Sequence, residues 1–135
     1  MNALGEYLKR AVRQRWEPGK VDCCTFPGDW ACTWGLGDPV AEWRGRYRSD
    51  ASAIRFINRA GGLLNLWQRG LESIGLYGVN DPVAGDVGVV FAIGMTGQRE
   101  QVGAIYTGDR WAFRAPAGLI FAPAEVLRVW GPRHG

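Results

Sequence analysis

Two adjacent cysteines are the residues of this sequence that are best placed to do chemistry. Cys23 and Cys24 follow Asp22 in the segment VDCCTF, which is typical of the start of a helix. A cysteine in the first turn of a helix lies near the positive end of the helix dipole and near unpaired backbone N–H groups, which stabilise a thiolate. In the alternative interpretation, both cysteines and Cys32 are small apolar residues of a buried helix. The sequence alone leaves both interpretations open.

A general base is harder to find, because the chain has a single histidine, His134. It follows Gly131-Pro132-Arg133, a composition typical of a loosely held tail, so we expect a solvated residue there. Asp86 is interpreted as a turn residue at the start of a strand rather than as a base. The sequence therefore predicts no metal site and no cofactor.

Length and composition limit the class of protein. The 135 residues, 47% hydrophobic and 21% charged, predict one globular domain over residues 1–135. The net charge of +3 comes from scattered arginines rather than from a dense basic stripe, so we expect no nucleic-acid partner. Three cysteines form a poor disulfide framework and predict folding in a reducing cytoplasm. We expect no signal peptide and no membrane span, because the apolar stretches are too short.

Helical spacing of apolar residues marks the first half of the chain. It predicts a helix over 3–16, a second that is capped by Asp22 and ends before Gly35, and a short helical stretch through Trp43. Pro27 would lie late in the second helix, so that helix is expected to be kinked or to start later. Two more helices are predicted on either side of the Gly61-Gly62 pair, the first of them capped by Ser49 or Asp50.

The period changes from Gly85 onward, where short β-branched and aromatic segments alternate with turn residues. The segments read GDVGVVFAI, EQVGAIYTG, RWAFRAP, GLIFAP and LRVWGP. This order predicts an α+β domain in which N-terminal helices pack on a C-terminal antiparallel meander of four or five strands.

Three segments, in this order, carry a resemblance to a known family. They are VDCCTF, AGDVGVVF from Ala84 to Phe91, and QVGAIYTGDRWAF from Gln101 to Phe113. The chain resembles the NlpC-type cell-wall peptidases, a papain-like group, and more closely the small phage tail proteins that share their outline. The resemblance covers about residues 5 to 131. It implies a papain-like fold with Cys23 at the position of the nucleophile.

The same resemblance implies that the base has been lost. The position of the family's histidine falls on Gln101, or on Val102 if the later part of the motif sets the alignment, and the third residue falls near Arg114. Neither Gln101 nor Val102 can accept and return a proton, and an arginine would repel an imidazolium. Removing the histidine of a nucleophile–histidine unit costs on the order of 10⁶ in turnover, so we expect no useful hydrolysis.

The resemblance therefore implies a structural component of a phage tail, at the tip or baseplate, built on an inactive peptidase-like domain. Its expected partners are other tail-tip and baseplate proteins, with peptidoglycan as a further candidate, and its expected location is the virion after synthesis in the host cytoplasm. The alternative is an active cysteine peptidase or amidase that degrades peptidoglycan during genome entry and uses a base such as His134. A third class is a small binding module with a soluble partner.

An aromatic and arginine-rich stretch, residues 33–50, allows two interpretations. Trp34, Trp43 and Tyr47 are of the types that are enriched at protein interfaces. Alternatively, these side chains pack beneath the helices. Trp111 and Trp130, on predicted strands, are expected in the core.

Overall fold

A computed structural model describes residues 2–93 and 96–133 of the chain. The helices come first and the strands follow, which confirms an α+β domain with an antiparallel sheet. The elements are α1 (Ala3–Val12), α2 (Thr25–Cys32), α3 (Asp50–Arg59), α4 (Leu63–Ser73), β1 (Val87–Ile93), β2 (Arg99–Tyr106), β3 (Trp111–Ala115), β4 (Gly118–Ala122) and β5 (Glu125–Trp130). Within the described ranges, no helix is both long and apolar enough to span a bilayer.

The helix boundaries differ from the sequence prediction at the end of α1 and over residues 39–45, and α2 starts late, which is one of the two predicted alternatives. α1 ends at Val12 rather than at residue 16. α2 begins at Thr25, which places Pro27 in the first turn, where its missing N–H costs no helical hydrogen bond. Residues 39–45 form successive turns rather than a short helix. Ser49 caps α3 as predicted, and its hydroxyl accepts a hydrogen bond from the Ser52 N–H.

The strand order is β4-β3-β2-β1-β5, which is not a simple meander. The first four strands pair in sequence, and β5 then returns to pair with the free edge of β1. Only two residues separate β4 from β5, although these strands occupy opposite edges of the sheet. Three residue steps span at most about 11 Å, so the sheet must curl until its two edges nearly meet at that end.

The contact between Trp111 and β1 agrees with this curl. A Cβ placed on Gly88 would lie 2.9 Å from the Trp111 indole and 2.9 Å from the Arg128 carbonyl. Trp111 on β3 therefore reaches across β2 to β1, and glycine at position 88 makes room for it. Trp130 is fully buried on β5, so both tryptophans lie in the core as predicted.

The helices cover the face of β2 that carries Gly103. A Cβ on Gly103 would lie 2.8 Å from the Cys23 carbonyl oxygen and 3.0 Å from the Pro27 ring. The start of α2 therefore rests directly on the backbone of β2, and only glycine allows this approach. This contact brings the cysteine pair to the centre of the sheet.

The aromatic stretch packs inward. Trp43 is buried and meets Trp67 of α4 edge-on, with ring centroids 5.6 Å apart. Tyr47 is also buried, whereas Trp34 is half-buried. The interface interpretation is therefore wrong for Trp43 and Tyr47, because their rings are part of the core.

Candidate functional site

A cleft of about 230 Å³ opens above Cys23, between α3, the start of α4 and the β1–β2 hairpin. Apolar side chains from the helices form one wall, and polar side chains from β2 and the residues before it form the other. The cleft is lined by Cys23, Ile54, Ile57, Asn58, Gly62, Leu63, Thr96, Glu100 and Gln101. The structure thus brings together two of the predicted site residues, Cys23 and Gln101.

The turn that carries Cys23 is held by the carboxylate of Asp22. Its Oδ1 accepts hydrogen bonds from the N–H groups of Cys24 at 2.9 Å and Thr25 at 2.8 Å. The Thr25 hydroxyl in turn accepts from the Asp22 N–H at 2.9 Å, which completes a reciprocal cap. Asp22 therefore caps the turn that leads into α2, three residues before Thr25, while Cys24 is the residue directly before the helix.

The second oxygen of Asp22 ties this turn to two other segments. Oδ2 accepts from the Gly19 N–H at 2.8 Å and from the Tyr47 hydroxyl at 2.8 Å. The carboxylate is 3% exposed and accepts four hydrogen bonds, so it is committed to the fold. The N–H groups of Cys24 and Thr25 are therefore occupied by this carboxylate.

The two adjacent cysteines differ in their surroundings. Cys23 lines the cleft and is 3% exposed, whereas Cys24 is not among the lining residues and is 1% exposed. Their sulfur atoms are 3.9 Å apart. Burial, followed by the hydrogen bond with Cys23, raises the pKa of the Cys24 thiol well above its ordinary value. Cys24 fits the interpretation of a buried apolar residue, and Cys23 is the cysteine of the pair that faces the cleft.

Gln101 lines the cleft, and its side chain caps the start of α4. Its Oε1 accepts a hydrogen bond of 3.0 Å from the N–H of Leu64, in the first turn of α4. This N–H has no partner within the helix, so the Gln101 amide acts as a cap supplied from the sheet. Neighbouring strand residues point to opposite faces, and Val102 is accordingly buried away from the cleft. Gln101 rather than Val102 therefore stands in the cleft.

Arg114, the predicted third-residue position, does not join the cleft. Its guanidinium donates to the carbonyl of Ala11 at 2.9 Å and to the carbonyl of Gln14, at the end of α1. The side chain is 3% exposed, and burial lowers the pKa of its guanidinium. Arg114 therefore links β3 to the end of α1 through these hydrogen bonds. At this position the structure places no group that could orient a base in the cleft.

The remaining sequence candidates lie elsewhere. Asp86 is a turn residue as predicted: its Oδ2 accepts from the Val83 N–H at 2.8 Å. It also forms a two-pronged ion pair with Arg133, at 2.6 and 2.8 Å. His134 lies outside the described residues. Across the described chain, no group of three or more His, Cys, Asp or Glu side chains is placed to hold a metal ion.

A single charged side chain, Glu100, lines the described cleft. Its carboxylate accepts from the Thr96 hydroxyl at 2.6 Å. The cleft therefore offers a thiol, two amides, a hydroxyl and one carboxylate against an apolar wall. Among these described lining groups, none is an imidazole that could relay a proton between Cys23 and a leaving group.

A family model supplies the affiliation of the chain. The model of a domain of unknown function, DUF6950, matches residues 1–131. The chain belongs to the DUF6950 family. No curated protein and no solved structure matches it. The match runs from α1 to the end of β5, so the cleft and all of its lining residues belong to the DUF6950 domain.

Two residues of the site were not predicted from the sequence. Gly103 allows Cys23 to approach β2, and an isolated glycine within a strand pattern is the signal that could have indicated it. Tyr47 binds Asp22 across 25 residues of sequence, and no local pattern marks that pairing. Both residues hold the cysteine turn of the DUF6950 domain in place.

Proposed function

We propose that this DUF6950 domain is a papain-like domain of the NlpC type that has no hydrolase activity and serves as a structural component of a phage tail tip or baseplate. The proposal depends on one observation. Gln101 lines the same cleft as Cys23, and its side-chain oxygen accepts a hydrogen bond from the Leu64 N–H. It is the residue at the position that the resemblance gives to the lost histidine.

The relation of the cysteine to the sheet supports the papain-like part of the proposal. In the resembling peptidases, the nucleophile opens a helix that faces the strand of the base. Here Cys23 immediately precedes α2, and the Cys23 carbonyl abuts Gly103 of β2, two residues after Gln101. This arrangement agrees in outline with what the resemblance implies.

The groups around Cys23 support the loss of activity. The Gln101 amide cannot take up a proton near neutral pH, and its oxygen already accepts from Leu64. Glu100 is the one carboxylate among the described lining residues, and it accepts a hydrogen bond from the Thr96 hydroxyl. An amide hydrolase needs a group that protonates the leaving amine. Among the described residues that line the cleft, no imidazole is present to serve as this group.

A tail component is tested by its presence in particles. Particles of a phage that encodes this chain, purified on a density gradient, should contain the chain in a fixed ratio to other tail proteins. A Cys23→Ala phage should assemble particles with the same ratio and infect normally, because the proposal assigns the thiol no chemical role. The chain's absence from purified particles would contradict the structural role.

The active hydrolase is the competing function. It predicts that the purified protein releases muropeptides from cell walls and that Cys23→Ala abolishes the release. The proposed structural role predicts no release from either protein. Because particle content and wall digestion are measured separately, a component that is both structural and hydrolytic would be recognised from the two results together.

A further inference from the structure

The cysteine pair has a geometry that the proposed structural role does not use. The sulfur atoms of Cys23 and Cys24 lie 3.9 Å apart, and both thiols are free. Cys23 is 3% exposed and lines the cleft, whose volume of about 230 Å³ is several times that of a water molecule. Cys24 is 1% exposed and is not among the residues that line the cleft. One cysteine of the pair therefore lines the cleft, and the sulfur of the other lies close enough to react with it.

We propose that Cys23 and Cys24 form a peroxide-reactive modification site, in which Cys23 is oxidised first and Cys24 resolves it as an adjacent-residue disulfide. The site accepts a small hydroperoxide through the cleft. The inference stands on the sulfur separation and on the place of Cys23 in the lining of the cleft, and it is independent of the proposed tail function.

The first step is the oxidation of Cys23. Its thiolate attacks one oxygen of the hydroperoxide, the O–O bond breaks, and a hydroxide or alkoxide leaves and takes up the proton of the thiol. The sulfur is oxidised to a sulfenic acid and the peroxide is reduced to water or an alcohol.

The second step joins the two sulfurs. The Cys24 sulfur attacks the Cys23 sulfur, the S–O bond breaks, and the departing hydroxide takes the Cys24 proton to form water. Two thiols and one hydrogen peroxide thus give one disulfide and two water molecules. The sulfurs must approach from 3.9 Å to about 2.05 Å, a movement that side-chain rotation at two neighbouring residues can supply.

The product should be easily reduced. Consecutive Cα atoms across a trans peptide are about 3.8 Å apart, which is shorter than the range of about 4.4–6.8 Å that relaxed disulfides span. Strain of this kind raises the reduction potential. The modification should therefore be reversible by an ordinary monothiol.

Cys32 provides a matched internal control. It is also a free thiol and is more exposed than Cys23 and Cys24. Its sulfur donates a hydrogen bond of 3.4 Å to the carboxylate of Asp38. It has no place in the proposed pair. A reaction that followed exposure alone would therefore modify Cys32 before Cys23.

The test treats the native full chain with hydrogen peroxide, removes the excess with catalase, and alkylates the remaining thiols after denaturation. We expect one alkylated cysteine instead of three, an intact mass before alkylation lower by two hydrogen atoms, and a peptide map that links Cys23 to Cys24. Glutathione should restore all three thiols. Retention of three thiols, a bond to Cys32, or a Cys23 sulfinic acid without a disulfide would overturn the proposal.

Two variants extend the same measurement. Cys32→Ser should still lose two thiols on oxidation, and a failure to do so would contradict the assignment. Cys24→Ser should stop at the sulfenic acid of Cys23, which dimedone traps as an adduct. Because residue 24 is fully buried, this variant is used only if its circular dichroism matches that of the wild type. The peptide map of the wild type decides the question in either case.

Discussion

Replacing Asp22 with alanine is expected to lower the free energy of unfolding by about 4 kcal/mol. The carboxylate accepts four hydrogen bonds of 2.8–2.9 Å while it is 3% exposed. Alanine would leave the Tyr47 hydroxyl and the Gly19 N–H without their acceptor, and each buried donor left unpaired costs about 1–3 kcal/mol. The loss of the helix cap adds about 1 kcal/mol, and the combined effect is less than the sum because the bonds share one carboxylate.

The measurement is equilibrium unfolding in urea, with thermal unfolding as a second probe. For a domain of this size, about 4 kcal/mol corresponds to a fall of roughly 15 °C in Tm. Asp22→Asn should cost about half as much, since its amide oxygen can still accept from Cys24 and Thr25 while its NH₂ faces the Gly19 N–H.

Asp109→Ala is the matched control. The Asp109 side chain is largely exposed in a turn, so its replacement should change the free energy of unfolding by no more than about 0.5 kcal/mol. If Asp22→Ala were as stable as this control, the carboxylate would not be what holds the cysteine turn, and the assignment of Asp22 as a structural cap would be refuted.

Three further substitutions test the neighbouring contacts. Gln101→Ala should lower the free energy of unfolding in urea by about 1 kcal/mol, because the Leu64 N–H loses its acceptor, whereas Gln101→Glu keeps an acceptor at the start of α4 and should match the wild type. If both variants lost the same free energy of unfolding, Gln101 would not be the cap of α4. Gly103→Ala should cost about 1–3 kcal/mol, because its methyl group would lie 2.8 Å from the Cys23 carbonyl oxygen; an unchanged midpoint would mean that the contact yields freely. Arg114→Met should lower the free energy of unfolding by about 2–3 kcal/mol and speed amide hydrogen exchange in the last turn of α1. Unchanged exchange would mean that Arg114 does not hold the end of α1.

The starts of α2 and α3 could be predicted from local chemistry, whereas the end of α1 and the turns over residues 39–45 could not. Ser49 and Asp22 were identified as caps because short polar side chains next to apolar spacing have a specific use there. The late start of α2 followed from Pro27, which the first turn tolerates. These features are fixed by residues within a few positions of each other, which is why the sequence pattern was sufficient.

The path of β5 could not be predicted in the same way. A two-residue connection after β4 favours a neighbouring hairpin strand, yet β5 pairs with β1 on the opposite edge. That pairing depends on contacts between strands that are distant in sequence, such as the approach of the Trp111 ring to Gly88 of β1. Local periodicity identifies the strands but not the edge that each one finds.

For the candidate site as well, some features could be predicted from the sequence and others depend on contacts between distant segments. Cys23 and Gln101 were identified from the motifs and do share a cleft, but their motifs gave no indication that the Gln101 amide caps α4. Arg114 was assigned to the site by its place after β2, and the structure turns its guanidinium to the end of α1. A motif fixes the strand on which a residue lies, whereas the partner of a long polar side chain is set by whichever unpaired backbone group lies within reach.

The most direct test of the central claim is a cell-wall digestion by the purified chain. Peptidoglycan is incubated with wild-type protein, with Cys23→Ala and with an unrelated active endopeptidase, and soluble muropeptides are followed by mass spectrometry. The absence of an imidazole from the described cleft predicts that wild type and Cys23→Ala release equal, background amounts while the endopeptidase digests the wall. Muropeptides that accumulate with the wild type and disappear with Cys23→Ala would contradict the account, because they would require a proton donor beside Cys23.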